Sequence, residues 1–151
     1  MMNIGACGLI AVVIATGLQG SPREAMPKET VKLTLSGPGF SQPLEITDPP
    51  VLALSHVYMG AFIGDRAIDP DPAWPRYAVT FTIHTRDHAD KAYVVSYSRD
   101  RWTGDGFLYL PGPGEEFYRL NVSTILRDGQ DGRWHHASEA WSHAIQRYLP
   151  Y

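Results

Sequence analysis

A chain of 151 residues suits one domain and leaves little room for two. At 44% apolar and 19% charged it can bury a core, which rules out wholesale disorder. A net charge of −3 with no dense Lys/Arg run argues against a nucleic-acid partner and against a polybasic membrane patch. The one cysteine, Cys7, leaves no internal disulfide and no cysteine-based zinc site.

Residues 1–20 carry no charged side chain. The run 4–18 is apolar except for Thr16 and small residues. It falls short of the roughly 20 residues a membrane span needs and fits the apolar region of a secretory signal. Ala15 and Gly17 allow cleavage after Gly17, and Gly20 offers a second site. Two features depart from that pattern. No Lys or Arg precedes the run, and Ile4-Gly5-Ala6-Cys7 resembles a lipobox placed before its apolar run instead of after it. The expected organisation is a signal peptide or N-terminal apolar segment over 1–20, a polar tether over 21–30, and one globular domain over 31–151. No transmembrane helix is expected in the mature protein.

Residues 31–36, VKLTLS, place Val31, Leu33 and Leu35 on one face of a strand. After the turn-forming GPGFSQP, Leu44-Glu45-Ile46-Thr47 alternates again, so the two predict a hairpin. Asp48-Pro49-Pro50 reads as a capped helix start, with a short helix over 51–58. Residues 60–75 read as loop, because Asp69-Pro70-Asp71-Pro72 continues neither a helix nor a central strand. Residues 77–84, YAVTFTIH, give the clearest strand, with Tyr77, Val79, Phe81 and Ile83 on one face. Residues 92–98, AYVVSYS, return antiparallel to it. Residues 107–110 form a short apolar strand. Residues 117–126 read two ways, since FYRLNV alternates like a strand and STILR suits a helical turn.

The stretch GRWHHASEAWSHAIQRYL ends the chain on a helix. Ser138 is a good N-cap, and Glu139 sits in the first turn, where a negative charge suits the dipole. Trp141, Ala144, Ile145, Tyr148 and Leu149 then form one apolar stripe. His143 lies on the opposite face beside Glu139, and His135 and His136 alternate in an extended segment. The three histidines therefore aim three ways and predict no shared metal site. His84 and His88 lie four apart across a strand end and a loop and read as a solvated hairpin tip. The chain contains no G-x-S-x-G elbow, P-loop or G-x-G-x-x-G. Glu115 and Glu116 are adjacent, so they do not face each other across a cleft. Asn121-Val122-Ser123 has the pattern of a glycosylation acceptor.

The most suggestive segment runs from Tyr97 to Tyr118, where Tyr97, Arg99, Arg101, Trp102 and Tyr109 sit between glycine- and proline-rich turns. Arg and aromatic residues on such turns build contact surfaces. Tyr97, Arg99, Trp102 and Tyr109 are the candidate ligand-binding residues. Trp102 is the foremost, because charged and turn-forming neighbours resist its burial. The fold is expected to be α+β, an antiparallel sheet of about five to seven short strands with an amphipathic C-terminal helix on one face. The alternative is a small β-sandwich or barrel with an appended helix. The expected function is an exported, non-catalytic domain, secreted or periplasmic, that binds a ligand or protein partner at the cell envelope without a cofactor. A small hydrolase using His84 with Asp87 or Asp105, and a structural assembly subunit, are the alternatives.

Overall fold

The computed structural model describes residues 28–87, 89–125 and 130–150. The expected signal segment and most of the tether lie outside the described residues, as does His88. Among the described residues no helix is long and apolar enough to cross a membrane.

The fold is α+β. Seven strands, β1 (Thr30–Ser36), β2 (Leu44–Ile46), β3 (Ile63–Arg66), β4 (Tyr77–His84), β5 (Asp90–Arg99), β6 (Gly106–Leu110) and β7 (Arg133–Ala137), form one open sheet in the order β2-β1-β4-β5-β6-β7-β3. Every pairing is antiparallel. Three helices accompany it: α1 (Pro49–Leu54), α2 (Tyr118–Thr124) and α3 (Glu139–Gln146).

One face of the sheet is apolar because the strands alternate with period two. Tyr77, Val79, Phe81 and Ile83 of β4 are buried, while the residues between them are half-buried. Tyr93, Val95 and Tyr97 of β5 and Leu108 and Leu110 of β6 extend the same face. Trp141, Ile145 and Leu149 close it from α3 and the residues after it, with Val51 from α1. Trp141 stacks on Phe81 with ring centroids 6.0 Å apart, and Phe62 stacks on Phe81 at 4.8 Å. Ser138 caps α3 by accepting from the Trp141 N–H at 3.3 Å, as its position predicts.

Several elements differ from expectation for identifiable reasons. A bulge between Thr30 and Lys32 shifts the β1 register, so Thr30 takes the core place that strict alternation assigns to Val31. Its Oγ1 donates to the Ser55 carbonyl at 2.6 Å. Asp48 stands at the N-cap of α1 but caps nothing, because its carboxylate accepts from Arg147 at 2.7 Å and from the Tyr148 hydroxyl at 3.1 Å. Helix α1 stops at Leu54, short of the expected Tyr58.

The stretch 60–75 contains β3, which pairs with β7 at the sheet edge. The chain crosses the helical face through α1, turns round that edge, and returns over the outer face. There Trp74 packs against Phe107 and the Pro75 carbonyl accepts from the Ser98 hydroxyl.

Where the sequence read two ways, Tyr118–Thr124 is helical, and the side chains this helix buries, Asn121 and Thr124, are polar. Strand β6 leaves β5 after Tyr109 meets Ser96, so the edge of β5 beyond that point lacks a strand partner. Asn121 fills the gap. Its Oδ1 accepts from the Val94 N–H at 2.8 Å and its Nδ2 donates to the Val94 carbonyl at 2.7 Å. Thr124 Oγ1 donates to the Ala92 carbonyl at 2.8 Å. Asn121 is fully buried, so the glycosylation pattern is not presented by the folded domain.

Candidate functional site

The β5–β6 connection is short, and Asp100 organises it. Its N–H donates to the Asp105 carbonyl and its carbonyl accepts from the Gly104 N–H, both at 2.9 Å. Its carboxylate accepts from the Trp102 N–H at 2.7 Å and from the Thr103 N–H at 3.3 Å, the Asx-turn chemistry that suits aspartate at a turn. Gly104 adopts φ 81°, which glycine takes without a Cβ penalty. From α3, Gln146 Nε2 donates to the Gly104 carbonyl at 2.8 Å.

On this fixed loop the Trp102 side chain is 92% exposed. Burying an aromatic side chain of that kind is worth roughly 4–6 kcal/mol of transfer free energy, all but unrealised here. Ile68, on the segment crossing the outer face, is also exposed.

Beneath the loop, α3 comes unusually close to the sheet. A Cβ on Gly106 would collide with Ser142 Oγ and lie 2.8 Å from the Tyr97 ring, so only glycine permits the approach. The contact builds a buried network. Tyr97 Oη and Ser142 Oγ lie 2.6 Å apart, and Gln146 Nε2 reaches both, at 3.0 and 2.9 Å. Burial pushes the Tyr97 phenol above its ordinary value of 10, which keeps the hydroxyl protonated and available to the network.

Between the loop and α3 opens a cleft of about 270 Å³, lined by Thr103, Asp105, His136, Glu139, His143 and Gln146 among others. Carboxylates, imidazoles, a hydroxyl and an amide therefore face one small volume, able to donate and accept hydrogen bonds. No group of three or more potential metal ligands occurs among the described residues.

Three of the four sequence candidates meet at this end of the sheet. Tyr97 is buried beneath the loop with no exposed surface of its own, Trp102 is exposed on the loop, and Arg99 lines a groove on the far side of His143 and Gln146. Tyr109 is placed elsewhere, because its register partner is Ser96 and it projects from the opposite face to Tyr97. Its hydroxyl donates to both oxygens of Glu115, at 2.7 and 2.9 Å, and Glu115 also accepts from the Gly112 N–H. These bonds hold the Glu115 carboxyl below its ordinary value and push the Tyr109 phenol up to about 12. Nearby, the Arg76 guanidinium lies over the Trp134 ring at 5.0 Å.

The histidines pair differently from the hydrolase arrangement considered above. His84 Nδ1 lies 3.3 Å from Asp90, while Asp87 accepts from Thr85. Asp105 is at the other end of the ten-residue β5, roughly 30 Å away. His135 and His136 do face opposite sides. His135 lies 3.0 Å from Asp131, and His136 packs against Phe107. Ser142 Oγ bonds to Tyr97 and Gln146, and neither histidine of the cleft bonds to it.

The convergence of Asp105, His136, Glu139 and Gln146 has no signal in sequence spacing, since they come from a loop, a strand and a helix. No protein family, curated protein or solved structure matches this chain.

Proposed function

We propose that this protein is an exported, non-catalytic binding domain of the cell envelope. It engages a ligand or protein partner through the Trp102 loop and the polar cleft behind it. The observation that carries the contact surface is the 92% exposed Trp102 on a loop shaped by Asp100 and anchored to α3 by Gln146. A preorganised loop spends little conformational entropy on binding, and tryptophan is enriched among the residues that dominate contact energies. Export is supported by the uncharged apolar run at 4–18.

Native mass spectrometry of the protein recovered from its own host tests both parts. The expected result is a mass lacking the residues up to Gly17 or Gly20, with an excess mass that is retained by the wild type and lost in Trp102→Ala. An equal excess mass in the two proteins removes Trp102 from the contact. A full-length mass in the soluble fraction removes the export reading.

A further inference from the structure

Across His143 and Gln146 from the polar cleft lies a second concavity of about 430 Å³, walled by α1 and α3. Its apolar lining is aliphatic: Pro50, Val51, Leu54, Ala140 and Ala144. Its ionisable lining is Arg99, His143 and Arg147, and no carboxylate lines it. On a chain of net charge −3 this is a local reversal of sign. Arg147 is already satisfied, paired with Asp48 at 2.7 Å and lying over the Tyr148 ring. Arg99 is half-buried and enters no ion pair among the described residues.

A partly desolvated guanidinium lining an aliphatic trough is complementary to a carboxylate, which it binds through two parallel hydrogen bonds. The walls decide what carries that carboxylate. Both are helices, so the groove has no strand edge to offer an extended peptide. An alkyl chain needs none. The volume falls within the roughly 300–1,000 Å³ of small-molecule sites.

We infer that the α1–α3 groove is a second binding site, for an alkyl carboxylate. The chain lies against Pro50, Leu54 and Ala144, and the carboxylate pairs with Arg99. This site does not depend on the Trp102 reading.

The test is an NMR titration of the ¹⁵N-labelled full chain with decanoate, decanol and decyltrimethylammonium. Decanoate is expected to shift the amides of Val51, Arg99 and Ala144 and to bind about tenfold more tightly than decanol, as a charge-assisted hydrogen bond provides. Decyltrimethylammonium is expected to bind more weakly than either. Arg99→Gln is expected to erase the preference for decanoate while leaving decanol unchanged, a result that a loss of folding would not give. Ala140→Trp, on the exposed rim, is expected to block both. Equal affinity for decanoate and decanol, indifference to Arg99→Gln, or shifts centred on other concavities overturns the inference. Trp102→Ala is expected to leave decanoate affinity unaltered. A loss there would merge the groove with the loop and refute a separate site.

Discussion

Asn121 substitutes for a missing strand, and its removal is the sharpest test of how the sheet is held together. Asn121→Ala deletes the acceptor for the Val94 N–H and the donor to the Val94 carbonyl, both in a fully buried environment. It also deletes the donor to Gln130 Oε1 at 2.9 Å, which in turn supports the Tyr93 hydroxyl through Gln130 Nε2 at 2.7 Å. Each buried main-chain group left without a partner costs about 1–3 kcal/mol. The two on Val94 together predict a loss of roughly 2–6 kcal/mol, a large part of the ~5–15 kcal/mol that holds a domain folded. Urea unfolding followed by tryptophan fluorescence measures the loss. Native-state hydrogen exchange at the Val94 amide reports its location. Ser123→Ala, on the exposed side of the same helix, is the control and is expected to change stability by less than about 0.5 kcal/mol. A loss below about 1 kcal/mol for Asn121→Ala, with Val94 still protected from exchange, would show that the edge of β5 is satisfied without the amide, and the account of α2 as a plug would be wrong.

Two further outcomes follow from close contacts and from charge. Gly106→Ala places a methyl against Ser142 Oγ and the Tyr97 ring, and overpacking of this kind costs about 1–3 kcal/mol; calorimetry that finds no loss would mean that α3 can retreat freely. The Tyr109–Glu115 pair makes stability depend on pH at both ends of the scale. Glu115 has its carboxyl lowered in the folded state, so its contribution is present above the ordinary glutamate value of 4.5 and is lost as pH falls through the folded value. Tyr109 has its phenol raised to about 12, so its contribution is present below 10 and is lost between 10 and about 12. Tyr109→Phe should flatten the thermal-stability profile on both limbs, and an unchanged profile would contradict the pairing.

The elements legible in the sequence are those whose burial is apolar and periodic. Residues 77–84 announce their face because each buried position is Tyr, Val, Phe or Ile and each neighbour is smaller or polar, and residues 92–98 do so through Tyr93, Val95 and Tyr97, although Val94 and Ser98 are buried as well. The C-terminal helix was legible for the same reason, with Ser138 marking its start. Helix α2 was not, because the side chains it buries are Asn121 and Thr124, three residues apart on one face and polar. Apolar periodicity is blind to a helix that is held by hydrogen bonds to a strand edge. Strand β3 was hidden by its composition, Ile-Gly-Asp-Arg, which forms a strand only because the chain wraps an edge where β7 awaits it. The separation of Tyr97 from Tyr109 depends on the β5–β6 register, and composition alone does not supply that.

The site divides along the same line. Trp102 was legible because its neighbours are ones that cannot follow it into a core. What makes it useful was not, because the loop's stiffness comes from a relay that begins far away in sequence. Gly106 lets α3 approach the sheet, and the approach brings Ser142 to Tyr97. One turn along α3, Gln146 spans that pair and reaches the Gly104 carbonyl. The small residue at the base therefore sets the position of the large one at the tip. Arg99 sits where this relay meets the α1–α3 groove, so the loop, the cleft and the groove share one scaffold while presenting different chemistry. An exposed tryptophan and a polar cleft holding Asp105 and Glu139 lie on one side of His143, and an aliphatic trough with Arg99, which enters no ion pair among the described residues, lies on the other.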